Sequence, residues 1–111
     1  KLPKENSMLL LVAHFFAGVF LVNGVPHFVH GISGQSFQSP FASPPGVGES
    51  SPIVNVLWGT FNFLAGYALL ESFDGVTPGL NMDSVITVAG GLFTALGLSW
   101  HFQRVRRADT P

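Results

Sequence analysis

Residues 6–31 read NSMLLLVAHFFAGVFLVNGVPHFVHG, and the run without Asp, Glu, Lys or Arg that begins here extends to Glu49. A helix rising 1.5 Å per residue needs about 20 apolar residues to cross a hydrocarbon core of roughly 30 Å. Met8–Val22 alone supplies only about 22 Å, so the length of the span depends on Pro26. Its ring removes one backbone hydrogen bond and crowds the preceding turn. Either the helix ends near Asn23 and a short interfacial helix follows, or it kinks and continues through His30. The continued helix gives a full crossing. A first span over residues 7–30, kinked at Pro26 and capped by Asn6 or Ser7, is the expectation.

Outward from this stretch, two further charge-free intervals run from Glu49 to Glu71 and from Asp83 to Arg104. Each is about the length of one crossing. Ser51-Pro52 reads as an N-cap followed by proline at the first helical position, opening a second span over 52–71 that Asp74-Gly75 and Pro78-Gly79 terminate. Asn81 or Asp83 caps a third span over 84–103. Tyr67 and Trp100 lie near span ends, where aromatic belts sit. Between the first two spans, Gly31–Ser51 is rich in Gly, Pro and Ser and shows neither a helical nor a strand period, so it reads as a long loop. Phe37 and Phe41 stand out in it as side chains suited to the bilayer interface or to another protein. The expected fold is an all-α, multi-pass integral membrane protein: three transmembrane helices in a single polytopic domain, residues 1–111.

Composition supports that class. Charged residues make up 10% of the chain and hydrophobic ones 47%, against about 25% charged in soluble proteins. A domain of 111 residues has too much surface to face water with so few charges. The formal net charge of -1 argues against a nucleic-acid partner. Without cysteine there is no disulfide framework, thiolate metal site or Cys nucleophile. Lys1 and Lys4 before Met8–Ala13 resemble the start of a secretory leader, but the apolar run continues through Phe28 with no small-x-small cleavage site, so a retained helix is expected. Three spans put the termini on opposite sides. Arg104, Arg106 and Arg107 outweigh Lys1 and Lys4, which Glu5 offsets, and this favours a cytoplasmic C-terminus with the long loop on the same side.

Few residues carry recognisable chemistry. The first and third spans end on one face, which groups His27 and His30 with His101. His27 and His30 are spaced i, i+3, one turn beyond Asn23. Such imidazoles can ligate Zn, Cu or haem, or simply bond headgroups and loop carbonyls. His14 lies about two turns inside the first span, where an ionisable group is costly and faces protein or a cavity. Ala17 and Gly18 one turn on leave room for a neighbouring helix or for a haem or chlorophyll-type macrocycle. Asn55 and Asn62 are seven apart, as are Gly59 and Gly66; on the third span Thr87 and Thr94 repeat the spacing beside Gly90 and Gly91. Small residues admit close approach, and Asn and Thr hydrogen-bond across helices, so these eight are assigned to helix packing.

No nucleophile triad, carboxylate pair, P-loop or dinucleotide fingerprint is present, which leans away from an enzyme. The first expectation is an accessory subunit packing through its helices into a larger membrane complex or a homo-oligomer, with lipids, other subunits or a second copy as partners. One alternative is a cofactor-binding protein in electron transfer or light capture, using His14 or the His27, His30 and His101 group. Another is a small transporter or membrane enzyme moving protons through histidine.

Overall fold

A computed structural model describes residues 7–73, 75–76 and 78–108. Asn6 and Asp74, read above as a cap and a helix terminator, lie outside the described residues. The first helix, α1, runs Ser7–Ile32 with Pro26 inside it. The ring's lost N–H leaves the carbonyl one turn back without its usual donor, yet the helix continues for almost two further turns. One local bond supports that stretch: His30 Nδ1–H donates to the Pro26 carbonyl at 2.8 Å.

The second helix, α2, spans Pro52–Ser72. Ser51 caps it with extended backbone, its Oγ accepting from the Val54 N–H at 3.2 Å, and Pro52 takes the position where a missing N–H costs nothing. The third helix, α3, spans Met82–Ala108. Asn81 caps it, Oδ1 accepting from the Ser84 N–H at 3.2 Å, while Asp83 falls inside the first turn. This helix outruns the expected end at Gln103. Arginine is a good helix former and its charge suits the helix C-terminus, so the helix need not stop where its apolar stretch does.

The segment between α1 and α2 differs from the strandless loop expected. Two-residue strands, β1 (Phe37–Gln38) and β2 (Glu49–Ser50), pair antiparallel, with Phe37 opposite Ser50 and Gln38 opposite Glu49. Strands this short leave no alternation to read. Between them the chain folds back on itself through Gly46 N–H to Ser39 O at 2.9 Å and Gly48 N–H to Pro44 O at 2.8 Å.

Helix α1 forms the centre of the bundle, packing against both neighbours, while α2 and α3 barely meet. Glycine sets the separations. A Cβ at Gly90 would collide with the Phe15 carbonyl oxygen, and one at Gly24 would lie 2.8 Å from the Gly59 carbonyl oxygen. Asn55, Gly59, Asn62 and Gly66 form the buried face of α2; Gly90 and Gly91 are buried on α3. Thr87 and Thr94 depart from expectation. Their hydroxyls donate to Asp83 O at 2.7 Å and Gly90 O at 2.9 Å in their own helix, rather than across to a neighbour, a common outcome for Thr in a helix.

Leu57, Phe61, Leu64 and Tyr67 on α2, with Val88, Leu92, Phe93, Leu96 and Trp100 on α3, point outward and are more than half exposed. A continuous apolar surface of this kind is unsuited to water. All three helices are long and apolar enough to cross a membrane, which fits a multi-pass, integral membrane location.

Candidate functional site

The chain order brings the C-terminal ends of α1 and α3, the start of α2 and segment 33–51 to one end of the bundle. Asn55 organises it. Fully buried, its Nδ2 faces three carbonyl oxygens, Phe37 at 3.2 Å and Ser50 and Ser51 at 3.1 Å. One amide thereby ties β1, β2 and the cap of α2 together. Because the –NH2 is committed to carbonyls, Oδ1 is the acceptor, and it lies 2.8 Å from His27 Nδ1. His27 therefore carries its proton on Nδ1, leaving Nε2 with an unshared lone pair.

Aromatic rings lock the imidazole. Phe37 is 3% exposed, stands edge-on to His27 at 5.4 Å and stacks on His30 at 4.1 Å. Phe37 belongs to the interior, not to the surface suggested for it above; Phe41 remains exposed, edge-on to Trp58 at 5.0 Å. One turn before His27, Asn23 Nδ2 donates to Asn62 Oδ1 at 3.0 Å, and Asn62 Nδ2 donates to Trp58 O at 2.8 Å. From α3, His101 Nε2–H donates to Gly46 O at 2.7 Å and pins the loop from the opposite side.

These groups border an open, largely apolar pocket of about 220 Å³, whose wall includes Asn23, His27, Gln38, Trp58, His101 and Phe102. Two lining residues carry buried polar atoms with no hydrogen-bond partner among the described residues: Gln38 Oε1 and Trp58 Nε1. Buried polar atoms are almost always satisfied, so these two, on residues beside one pocket, stand out.

His27 and His101 thus share a cavity, with His30 behind Phe37 and its Nδ1 engaged by Pro26. No group of three or more metal-ligating side chains converges among the described residues. His14 stands apart toward the other end. It is 1% exposed, and its ring nitrogens face Leu10 O at 2.8 Å and Gly75 O at 3.0 Å. Both directions are occupied by backbone, with Phe73 edge-on at 6.3 Å.

Gln38, Ser39 and Trp58 escaped the sequence reading. For Trp58 a signal was present: it lies three residues after Asn55 and four before Asn62, on the same helix face, and a buried indole N–H normally finds a partner. Gln38 and Ser39 offered none, since their placement depends on a pairing across eleven residues. No protein-family model, curated protein or solved structure matches the chain.

Proposed function

We propose that this chain is an integral membrane binding protein whose working part is the pocket beneath segment 33–51 at the His27 end of the bundle. The observation that carries the proposal is a pair of unpaired buried polar atoms, Gln38 Oε1 and Trp58 Nε1, on residues that line a pocket of about 220 Å³. Binding sites combine an apolar, aromatic lining with a few placed polar groups, and this wall has both. The arginines following the third span favour a cytoplasmic side for this end of the bundle. Native mass spectrometry of protein extracted with its own lipids tests the proposal. The wild type should retain a small non-covalent adduct that Gln38→Leu and Trp58→Phe lose. Indistinguishable spectra for the three proteins would sink it.

The accessory-subunit reading draws on a different observation. Gly59, Gly66, Gly90 and Gly91 are used for packing inside the chain, and segment 33–51 is held by Asn55 and His101. Gly97 is different: a Cβ there meets open space, on the outward face of α3 beside Phe93, Leu96 and Trp100. An outward glycine among large apolar residues suits close approach by another helix. Cross-linking of Gly97→Cys, in a chain otherwise lacking cysteine, tests it. A specific partner or homodimer band supports this reading; labelling by lipid-phase reagents alone removes it.

A further inference from the structure

His101 also borders a second, open notch of about 350 Å³ between the last turns of α3 and the capping segment, lined by Val47, Arg104, Val105 and Ala108. Both walls are held. On the loop side, the His101 Nε2–H given to Gly46 O at 2.7 Å keeps the residue before Val47 against α3. On the helix side, the Arg104 guanidinium lies over the Trp100 ring, 4.6 Å from its centroid. Stacking on an indole orders a long side chain in advance, so less freedom is lost when that side chain meets a ligand.

Charge decides what the notch accepts. No carboxylate lines it. The described carboxylates are Glu49, Glu71 and Asp83. Glu71 and Asp83 belong to the other end of the bundle, where α2 finishes and α3 starts. Glu49 sits on β2 and accepts from Gln38 Nε2 at 3.5 Å. Asp109 follows Ala108 in the sequence, outside the described residues. The last carbonyls of α3 oppose an anion with about half a charge, less than the full charge of Arg104, with Arg107 one turn on. The notch therefore suits an anion, and a guanidinium matches the oxygens of a phosphate two at a time. A choline-bearing headgroup gains less, because Arg104 already takes the place over Trp100 that a quaternary ammonium favours.

The notch sits where α3 outruns its apolar stretch. On the bilayer side of it Phe93, Leu96 and Trp100 are more than half exposed, and their spacing of three and four residues leads along one face to Arg104. A phosphate at Arg104 that carried acyl chains would lay them along this face. With this end cytoplasmic, as the arginines favour, the notch meets the leaflet that carries anionic lipid. We propose that it is a binding site for an anionic phospholipid, with the phosphate held by Arg104 and the chains lying against Phe93, Leu96 and Trp100. The site is separate from the pocket beneath segment 33–51.

The test uses the full chain carrying Trp58→Phe, which leaves Trp100 as the single tryptophan, in phosphatidylcholine nanodiscs containing a minor fraction of brominated lipid. Bromine quenches at short range, so Trp100 emission reports which lipid lies beside Arg104. Dibrominated phosphatidylglycerol should be preferred over dibrominated phosphatidylcholine by about 5-fold, the gain expected from one basic residue at an anionic surface. Arg104→Gln should abolish the preference, while Arg107→Gln, outside the notch, should keep most of it. Equal quenching by the two lipids in the parent protein overturns the site. Equal losses in the two variants mean general attraction by the basic end, and overturn it as well. Replacing chloride by inorganic phosphate at equal ionic strength should leave the preference unchanged; its loss would assign the notch to free phosphate and overturn the lipid. Because the parent protein already lacks Trp58, this site and the binding-protein reading fail separately.

Discussion

His27 Nδ1 lies 2.8 Å from Asn55 Oδ1, and that contact couples the end of α1 to the whole capping segment, because the Asn55 amide also faces the carbonyls of Phe37, Ser50 and Ser51. Asn55→Leu removes every partner at once. It should destabilise the protein by about 2–4 kcal/mol, since each buried group left unsatisfied costs about 1–3 kcal/mol. Unfolding in mixed micelles measures the loss, and limited proteolysis should find new cleavage within residues 33–50. Asn55→Asp separates the two functions: the carboxylate still accepts from His27 but donates to none of the carbonyls, so cleavage should rise in that variant too. A protected segment in either variant would show that the network does not hold it.

The Asn23–Asn62 bond joins α1 to α2 at 3.0 Å. Asn62→Leu should weaken the bundle by about 1 kcal/mol, in the range measured for hydrogen bonds between membrane helices. A double-mutant cycle with Asn23→Leu should return a coupling of about 0.5–2 kcal/mol. Additive losses would show that each amide is satisfied without the other.

What was legible beforehand follows from the range of each interaction. The number of helices, the Ser51-Pro52 start and the buried Asn55-Gly59-Asn62-Gly66 face all rest on local spacing, and spacing is visible in a single sequence. The β1–β2 pair and the burial of Phe37 depend on residues meeting across ten or more positions, which no periodicity records. Thr87 and Thr94 show a subtler limit. Their spacing resembles that of the asparagines, but a β-branched hydroxyl reaches its own helix carbonyl, whereas the Asn23 and Asn55 amides extend to partners beyond their own helix. Of the cavity, the histidines and Asn23 were readable as a group. Trp58 and Gln38 gain significance only from the fold, which leaves each with an unpaired buried atom beside the same pocket.

Gly90 and Gly97 make a matched pair on α3. A Cβ at Gly90 collides with the Phe15 backbone, while one at Gly97 meets nothing within 4 Å. Gly90→Ala should therefore cost about 1–3 kcal/mol, the usual penalty for forcing a methyl into a packed interface. Gly97→Ala should be neutral, or stabilising by up to about 1 kcal/mol through helix propensity. Thermal unfolding of the two variants in the same nanodiscs reads the contrast. Equal effects would mean that α1 and α3 are not held at the separation Gly90 implies.

His14 ties the opposite end together. Its two ring nitrogens face Leu10 O, one turn back in α1, and Gly75 O, in the connection between α2 and α3. Both partners are acceptors, and a neutral imidazole has one N–H, so it donates to one carbonyl at a time. The contact to Gly75 spans 61 residues, and Gly75 has φ +75°, a backbone conformation glycine adopts without strain. His14→Leu keeps the bulk beside Phe73 but removes the donor, so the loss should appear at the connection rather than in the helices. Hydrogen exchange at the Gly75 and Val76 amides should quicken by about 10-fold, the equivalent of one hydrogen bond of about 1.4 kcal/mol. Exchange around Phe37 and Ser50 should not change, because the capping segment is anchored at the other end of α1 by Asn55. His14→Gln, whose amide offers a donor of shorter reach, should fall between. If exchange quickens equally at both ends of the bundle, His14 supports global stability; if it quickens at neither, the Gly75 connection is held without it.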